Sequence, residues 1–460
     1  MKGFFISLIT MTESASLNHI YSCYLKSTEI STDTRKLTSG CFFVALKGDN
    51  FDGNTFAVQA FEAGAAFVLM DDQAEFSSAQ LDPYRDRTLL VLDSLTALQN
   101  LATHHRRVLD VPILALTGSN GKTTTKELLH ATLSKKFNCL ATLGNLNNHI
   151  GVPLTLLRMD QTTQFGIVEM GANHQGEIAL LCRITEPNYG YITNFGKAHL
   201  EGFGGVEGVI KGKSELIDYL RDTQGLMFVQ STDEKQMQRT EDLTRVVLNP
   251  EQQWKVIAES GANKTYSEGN AALGTLALSG PEGAVHTQLI GQYNTPNVIA
   301  AAEIAQYYDI AWEEIKSALE QYTPRMNRSQ GLRRGSYDLI MDAYNANPSS
   351  VQQALDHYAK TKTSGFKAVI LGDMFELGQE AAVEHQKIVT QAEQLGFDQI
   401  YLAGVNFCQT EFNPSQTLCF SDYKDLEKYL LSHPPKHGSI LIKGSRGMAL
   451  ERLLNTVFKG

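Results

Sequence analysis

The fold is decided by the segment Leu116-Thr117-Gly118-Ser119-Asn120-Gly121-Lys122-Thr123-Thr124. It lies between an apolar run, PILAL at 112–116, and a stretch with a helical pattern. In such a turn the backbone N–H groups converge on phosphate oxygens, and the N-terminus of the following helix adds partial positive charge. Gly118 and Gly121 permit positive φ and a close approach of the backbone to a ligand. The segment therefore predicts a phosphate-binding turn at the end of a strand.

The end of this turn predicts a nucleotide and a metal ion. In the general pattern the lysine, here Lys122, contacts the β- and γ-phosphates, and the next residue, Thr123, ligates Mg²⁺. Leu116 stands where that pattern has glycine, so the turn is a variant. Glu169 ends another predicted strand, FGIVEM at 165–170, and the carboxyl ends of parallel strands meet at the ligand crevice. We expect Glu169 to hold the metal; the alternative is an ordinary carboxylate at a strand end.

Further candidates follow the predicted strand YGYIT at 189–193. His199 lies in the glycine-rich loop NFGKAHLEGFG, where a histidine alone is more often a surface or packing residue than a ligand. Its proximity to the phosphate turn would favour a ligand instead. Lys211 and Lys213 lie two positions apart on a predicted helix and so point to different faces. At most one of them should face the crevice.

Composition limits the class of protein. With 460 residues, the chain is long enough for roughly three domains. Hydrophobic residues make up 42% of it, which excludes a disordered chain. The net charge of −10 argues against general nucleic-acid binding, but a local basic cluster can still bind an anionic small ligand.

The cysteines and the N-terminus predict a soluble, cytoplasmic protein. The run MKGFFISLIT at 1–10 is far too short to span a membrane. Met11 follows directly, so residues 1–10 are a candidate upstream extension. No pair of cysteines has metal-finger or redox-motif spacing, so we expect reduced thiols that serve mainly in packing. The cysteines are Cys23, Cys41, Cys139, Cys182, Cys408 and Cys419.

Three α/β domains are expected from the alternation of strand and helix patterns. Residues 1–110 predict a small mixed α/β domain, and residues 111–323 a parallel sheet of the P-loop ATPase type. Within the latter, residues 273–290 predict an antiparallel edge. Residues 324–460 predict a Rossmann-like, doubly wound domain that lacks a GxGxxG turn.

Several segments together resemble the Mur ligase family, the ATP-dependent enzymes that extend the peptide of bacterial cell-wall precursors. The family's ATP turn characteristically lacks the first glycine, which is consistent with Leu116. Within the family, the motifs are similar to the branch that adds a D-alanyl-D-alanine dipeptide; the Asp-Asn-Pro-Arg run usual in the diamino-acid-adding sister is absent. The motifs are TGSNGKTTTKE, GNLNNHIGVPLTLL (144–157), IVEMGAN, NFGKAHLEGFG, DAYNANPSS (342–350), LGDMFELG (371–378) and IKGSRGMALE (442–451).

The resemblance implies the residues that bind ATP and metal. Residues 117–124 would surround the phosphates, Asn297 would face adenine, and Arg328 and Asp342 would contact phosphate and ribose. Two Mg²⁺ ions are implied, with Lys213 carbamoylated so that it becomes an anionic oxygen ligand. Their ligands would be Thr123, Glu169, His199 and the carbamate of Lys213.

The resemblance also implies the residues that bind the substrates. Asn147 and Asn148 would face the reacting carboxylate or γ-phosphate, although two adjacent asparagines alone indicate only a turn. Ser445 and Arg446 would contact the carboxylate of the dipeptide, with a structural salt bridge as the alternative for Arg446. A UDP-sugar site is implied in STDTRKLTSGCFFVALKGDNFDG (31–53), where Thr34 replaces the usual serine; a charged β-turn is the alternative. Its residues would be Ser31, Asp33, Arg35, Lys47 and Asp52.

The implied activity is an ATP-dependent ligation through an acyl phosphate, in peptidoglycan precursor synthesis. Its substrates would be UDP-N-acetylmuramoyl-tripeptide and D-alanyl-D-alanine, and the enzyme would be a monomer without nucleic acid or membrane insertion. His174 is a weak candidate for the base that deprotonates the amine. Three alternatives stay open: a folate polyglutamylating ligase, a small-molecule kinase and a catalytically silent UDP-sugar-binding protein.

Overall fold

The structure is a computed structural model, and its residues fall into two compact units. The candidate extension at residues 1–10 lies outside the described residues. The structure describes residues 15–249, 251–257, 274–324, 328–363 and 365–459. The first unit contains residues up to 112, together with 142–166 and 180–186, and the second contains 113–141, 167–179 and the chain from 187 onward.

The first unit contains a small parallel sheet. The strands are β1 (Ile30–Ser31), β2 (Phe42–Val44), β3 (Lys47–Gly48), β4 (Phe51–Asp52), β5 (Phe67–Met70) and β6 (Thr88–Leu90), and the helices are α1 (Leu17–Tyr24), α2 (Ala57–Glu62), α3 (Gln73–Phe76) and α4 (Ser94–Leu109). Four of the strands pair in the order β1-β2-β5-β6, all parallel. Phe43 and Val68 are fully buried in its core.

A second sheet carries the phosphate turn. The strands of this part of the chain are β7 (Ile113–Thr117), β8 (Cys139–Ala141), β9 (Phe165–Glu169), β10 (Tyr189–Ile192), β11 (Leu226–Gln230), β12 (Arg245–Leu248), β13 (Lys255–Ile257), β14 (Ala277–Gly280) and β15 (Gly283–His286). Its helices are α5 (Lys122–Leu133), α6 (Gly151–Leu156), α7 (Glu177–Thr185), α8 (Leu200–Phe203), α9 (Val206–Thr223), α10 (Glu234–Arg239), α11 (Thr295–Tyr307) and α12 (Trp312–Gln321). The sheet order is β12-β11-β10-β7-β9-β8. Since β7 has β9 on one side and β10 on the other, its carboxyl end is a topological switch point, where ligands bind in open α/β sheets.

The predicted antiparallel edge at 273–290 is wrong in its placement. β14 and β15 pair with each other and with β13 in a separate three-stranded antiparallel sheet. Leu278 and Val285 face each other in this hairpin and are fully buried, so the apolar face is covered without joining the larger sheet. β13 was missed because three residues are too few to show an alternating pattern.

The C-terminal sheet is doubly wound, as predicted. Its strands are β16 (Gln330–Arg334), β17 (Tyr337–Asp342), β18 (Phe366–Gly372), β19 (Gln399–Ala403), β20 (Thr417–Phe420) and β21 (Gly438–Lys443), and its helices are α13 (Pro348–Lys360), α14 (Ala381–Gln394), α15 (Tyr423–Ser432) and α16 (Leu453–Thr456). The order is β16-β17-β21-β18-β19-β20, parallel except for β16 at one edge. β16 and β20 were not predicted. α16 begins only at Leu453, because Ala449 adopts a φ of +47° and interrupts the chain before it.

A disulfide joins Cys408 and Cys419, whose Cα atoms are 5.7 Å apart. The prediction of six reduced cysteines is therefore wrong for this pair. The two are brought together by the register of β19 with β20, in which Leu402 lies opposite Cys419. Cys23, Cys41 and Cys182 are buried, consistent with packing.

The described helices are short or carry charge. Even α9, with 18 residues, contains lysine, arginine, aspartate and glutamate side chains along its length. Among the described residues, no helix is long and apolar enough to cross a membrane.

Candidate active site

The phosphate turn lies between the end of β7 at Thr117 and the start of α5 at Lys122. Gly118 and Gly121 adopt φ values of +144° and +80°. A Cβ atom on Gly118 would lie 1.9 Å from Thr193 Oγ1, and one on Gly121 would lie 2.6 Å from Asn297 Oδ1. Only glycine fits either position. The first N–H groups of α5 have no partner within the helix, so they are available to an anion.

The loop after β10 holds the turn in shape. Thr193 Oγ1 donates to the carbonyl oxygen of Asn120 at 2.6 Å. The side chain of Asn194 accepts the N–H of Asn120 at 3.1 Å and donates to its carbonyl oxygen at 3.0 Å. Ser119 Oγ donates to the carbonyl oxygen of Gly196 at 2.8 Å. Thr193, Asn194 and Gly196 were not singled out in the sequence, although Asn194 and Gly196 belong to the NFGKAHLEGFG motif.

Lys122 folds back over the turn. Its Nζ atom donates to the carbonyl oxygens of Gly118 at 2.7 Å and Ser119 at 3.3 Å. Burial lowers the pKa of Lys122, the nearby Arg328 acts in the same direction, and Glu169 opposes both. The ammonium group is thus held beside the N–H groups that would receive phosphate.

Thr123 and Glu169 meet in the interior beneath the turn. Thr123 Oγ1 donates to the two carboxylate oxygens of Glu169 at 3.1 and 2.9 Å, and both residues are 1% exposed. Lys126 Nζ lies 3.9 Å from Glu169 Oε2. In the described part of the chain, no three acidic, histidine or cysteine side chains form a metal cluster. Mg²⁺ in nucleotide sites needs only one or two protein oxygens beside phosphates and water, so this hydroxyl–carboxylate pair fits it.

Lys213 is buried on α9, whereas Lys211 is exposed, as expected for residues two positions apart. Burial lowers the pKa of Lys213 well below its ordinary value, and the charge of Lys122 lowers it further. No carboxylate among the described residues shares in this shift. This lowered pKa favours the neutral amine of Lys213, and the charge of Lys122 in the phosphate turn contributes to it.

His199 contacts the C-terminal part of the chain. Its Nδ1 atom lies next to a carboxylate oxygen of Glu376, and His199 lowers the pKa of the Glu376 carboxyl. The backbone supports the contact, because the N–H of Glu201 donates to the carbonyl oxygen of Glu376 at 3.2 Å. Glu376 was not singled out in the sequence, although it lies within the LGDMFELG motif. Its carboxylate can fix the orientation of the imidazole ring.

Other residues of the C-terminal part also reach the turn and its supporting loop. Asn347 Nδ2 donates to Asn120 Oδ1 at 2.7 Å. The N–H of Lys197 donates to Ser349 Oγ at 3.0 Å, and its ammonium contacts Glu384 at 2.8 Å. Asn347 and Ser349 belong to the DAYNANPSS motif, which resembled the family but had no role assigned to these positions.

The three predicted ATP contacts outside the turn have different neighbours. Asn297 accepts a hydrogen bond from Thr125 at 3.1 Å and packs against Gly121, so it adjoins the turn. Asp342 contacts Lys443 Nζ at 2.6 Å. Arg328 lies near enough to Lys122 to affect its pKa. Their contacts with adenine, ribose and phosphate stay predictions.

The candidates for the UDP-sugar site form two groups in the first unit. In one, the Arg35 guanidinium binds Asp33 at 2.8 Å and lowers the pKa of that carboxyl to about 2, and Ser31 Oγ accepts the N–H of Asp33. In the other, Lys47 lies 3.8 Å from Asp52. The charged side chains of both groups are at least partly exposed to solvent. Their role in binding UDP stays a prediction.

The remaining candidates take part in local contacts. Asn148 Oδ1 accepts the N–H of Gly151 at 2.9 Å at the start of α6, and Asn147 precedes it in the same loop. Ser445 is buried, and its Oγ accepts the N–H of Phe375 at 2.9 Å. Arg446 forms the salt bridge considered above, with Glu451 at 3.0 Å. His174 is exposed and lies 3.3 Å from Glu177. Their contacts with substrates stay predictions.

Replacing Gly118 with alanine should destabilise the turn. The added Cβ would collide with Thr193 Oγ1 and would require a φ that alanine rarely adopts. We expect a loss of about 2–4 kcal/mol in the free energy of unfolding. Gly48→Ala is the matched control, because nothing lies within 4 Å of its Cβ position. Chemical denaturation measures both, and equal stability of the two variants would contradict the geometry of the turn.

The fold and the site define a class: an α/β enzyme with a phosphate-binding turn on a parallel sheet and a doubly wound domain after it. Three family models match consecutive parts of the chain. They are described as Mur ligase family, catalytic domain, at residues 26–106; Mur ligase middle domain, at 116–305; and Mur ligase, glutamate ligase domain, at 325–446.

Individual relatives extend over nearly the whole chain. It is 33% identical to the UDP-N-acetylmuramoyl-tripeptide–D-alanyl-D-alanine ligase of Bacillus subtilis, covering 94% of this chain and 93% of the relative. The ligase of the same name from Escherichia coli is 34% identical, with 93% of each chain covered. A crystal structure of MurF from Acinetobacter baumannii superposes with a TM-score of 0.79 at 28% identity, covering 97% of this chain and 99% of that one. The chain belongs to the Mur ligase family.

Proposed function

We propose that this protein is an ATP-dependent ligase that joins D-alanyl-D-alanine to the terminal carboxylate of UDP-N-acetylmuramoyl-tripeptide. The observation that carries the proposal is the phosphate turn with Lys122 above it and the Thr123–Glu169 pair beneath it. This site lies in a chain that matches relatives bearing that activity in their names over more than nine-tenths of its length. The reaction serves peptidoglycan precursor synthesis.

A carboxylate does not form an amide with an amine at neutral pH, because oxide is too poor a leaving group. ATP solves this difficulty. A carboxylate oxygen of the tripeptide attacks the γ-phosphorus, the bond to ADP breaks, and an acyl phosphate forms. The amine of the dipeptide then attacks the carbonyl carbon and loses a proton. The tetrahedral intermediate expels phosphate, so the products are the amide, ADP and phosphate.

The first step brings two anions together, and positive charge must compensate for them. The N–H groups at the start of α5 are directed to the phosphates. Lys122 and Arg328 lie near the same turn and add two cations. Lys122 bonds only to turn carbonyls in the present structure, so it can turn toward a phosphate by changing its side-chain rotamer.

Thr123 and Glu169 are the residues proposed to hold Mg²⁺, with His199 and Lys213 for a second ion. A bound Mg²⁺ neutralises phosphate charge and polarises the transferred phosphoryl group. Glu376 would keep the imidazole of His199 oriented through the contact at Nδ1.

Lys213 is proposed to be carbamoylated. An ammonium group cannot bind a metal, and only a neutral amine can add to carbon dioxide. Burial and the charge of Lys122 lower the pKa of Lys213 and so favour the neutral amine. The carbamate that forms is an anion beside Lys122, so the same neighbour that disfavours the ammonium favours the product.

Each domain is proposed to serve one ligand. Residues 1–110 would bind the UDP-sugar through Ser31, Asp33, Arg35, Lys47 and Asp52. Residues 111–323 would bind ATP, with Asn147 and Asn148 facing the reacting group. Residues 324–460 would bind the dipeptide through Ser445 and Arg446 and complete the ATP site with Arg328 and Asp342. Exclusion of water would protect the acyl phosphate from hydrolysis.

The proposed setting is the cytoplasm, where ATP and UDP-sugars are available, and the proposed form is a monomer without nucleic-acid or membrane partners. The net charge of −10 fits small anionic ligands held in a local basic site.

Phosphate release tests the function directly. ATP, Mg²⁺ and UDP-N-acetylmuramoyl-tripeptide should give sustained phosphate release only when D-alanyl-D-alanine is added, with one amide formed per phosphate. Release that does not need the amine, with a stable phosphorylated product, would indicate a kinase instead. Ligation of glutamate to a folate acceptor in an amine panel would indicate the folate enzyme. Binding of the UDP-sugar without any ATP turnover would indicate a silent binding protein.

A further inference from the structure

Arg328 lies against the face of an aromatic ring. Its Cζ atom is 3.6 Å from the centre of the Tyr344 ring, within the range of a strong cation–π contact. The Cζ of Arg446 is 6.0 Å from the same ring, at the limit of that interaction, and Arg446 is bound by Glu451. Arg328 is therefore the close cationic partner of Tyr344.

The guanidinium group of Arg328 lies in a region where cations converge. Burial lowers the pKa of Lys122 and of Lys126, and the charge of Arg328 lowers both further. Arg328 Nε is buried and makes no hydrogen bond within the described residues. An unpartnered buried donor beside two lysines is costly unless an anion binds there. Glu169 offsets part of the charge of the two lysines, and a polyphosphate would supply the acceptor that Arg328 Nε lacks.

The pairing of β16 with β17 fixes the backbone near both Arg328 and Tyr344. In the antiparallel register of β16 with β17, Gln330 lies opposite Met341, and the N–H of Ser329 donates to Asp342 Oδ1 at 3.1 Å. Tyr344 follows Asp342 by two residues. The backbone next to Arg328 and the backbone next to Tyr344 are thus both anchored. The two side chains therefore start from fixed positions when they stack.

We infer that Tyr344 is a positioning residue, which holds the Arg328 guanidinium flat and directed at the phosphates of the bound nucleotide. Tyr344 acts in this way only if ATP binds at the turn, so the role rests on the proposed function. An arginine side chain has several freely rotating bonds, and stacking on a ring restricts them before the phosphate arrives. The aromatic face is the part required, because the stack does not involve the hydroxyl.

Calorimetric titration of the full chain with ATP and Mg²⁺, without the other substrates, tests the inference. Tyr344→Leu should raise the Kd for ATP about fivefold to thirtyfold. Tyr344→Phe keeps the ring and should bind within about twofold of the wild type. In the Arg328→Ala background, Tyr344→Leu should have no further effect, since its target is gone. Adenosine, which has no phosphate, should bind both Tyr344 variants as it binds the wild type.

A second arginine–tyrosine stack provides the matched control. Arg452 Cζ lies 3.8 Å from the Tyr423 ring, which belongs to the C-terminal core and to no part of the site. Tyr423→Leu should lower the melting temperature and leave the Kd for ATP unchanged. Equal ATP affinity of Tyr344→Leu and wild type, or additive effects of Tyr344→Leu and Arg328→Ala, would overturn the role of Tyr344 alone. Failure of the wild type to bind ATP would overturn the proposed function, and the role of Tyr344 with it.

Discussion

Lys122→Ala should lower kcat by a factor of about 10²–10³ or more, which corresponds to roughly 3–5 kcal/mol of transition-state stabilisation. In the proposed reaction the ammonium group would stand where two anions meet, and water in its place could not supply a fixed positive charge. The loss should appear mainly in kcat, because charge on the transferred phosphoryl group develops in the transition state. Phosphate release at saturating ATP measures it.

The fold should survive this change. Among the described residues, Lys122 Nζ bonds to the carbonyls of Gly118 and Ser119, and burial lowers its pKa, so removing it relieves a partly buried charge. We expect thermal melting within a few degrees of the wild type. Lys211→Ala, at an exposed lysine of α9, is the control and should keep full activity. Wild-type turnover in Lys122→Ala would mean that the turn has only a structural role.

Lys213→Ala should be nearly inactive and partly rescued by short carboxylates such as formate or acetate. The small anion would enter the space left by the side chain and replace the oxygen ligands of the carbamate. Activity of the wild type should also fall in bicarbonate-free buffer, and isotope-labelled bicarbonate should give a carbamate signal by NMR. An unaffected Lys213→Ala enzyme would rule out the carbamate.

Stability separates this role from a structural one. Folding lowers the pKa of Lys213, so the unfolded chain, with the ordinary pKa of 10.5, binds this proton more strongly than the folded chain. The unfolded state then binds more protons, so the free energy of unfolding rises with pH between the lowered pKa and 10.5. Lys213→Met should remove that dependence and be at least as stable as the wild type at neutral pH, in bicarbonate-free buffer. A large loss of stability in Lys213→Met would show that the lysine supports the fold instead.

The sequence was sufficient to predict those features that depend on residues close together in the chain. The turn from Leu116 to Thr124 combines a strand, two glycines and a lysine within nine positions of the chain, so it is visible as a local pattern, although Thr193 and Asn194 also hold its shape. Long strands such as β7 and β18 were predicted because continuous apolar runs indicate burial on both faces. Short strands were not predicted, because β13 and β20 have three and four residues, too few for a periodic pattern.

By itself, then, the sequence determined the order of strands and helices, the phosphate turn and the family resemblance. The meeting of distant residues was decided by tertiary structure alone. Glu376 contacts His199, Tyr344 stacks on Arg328, and Lys213 is buried beside Lys122. Each pair joins side chains from separate elements. Burial and neighbouring charge determine the pKa of an amine such as Lys213, and a neighbouring ring determines the position of a guanidinium such as Arg328. No local pattern in the sequence predicts these neighbours.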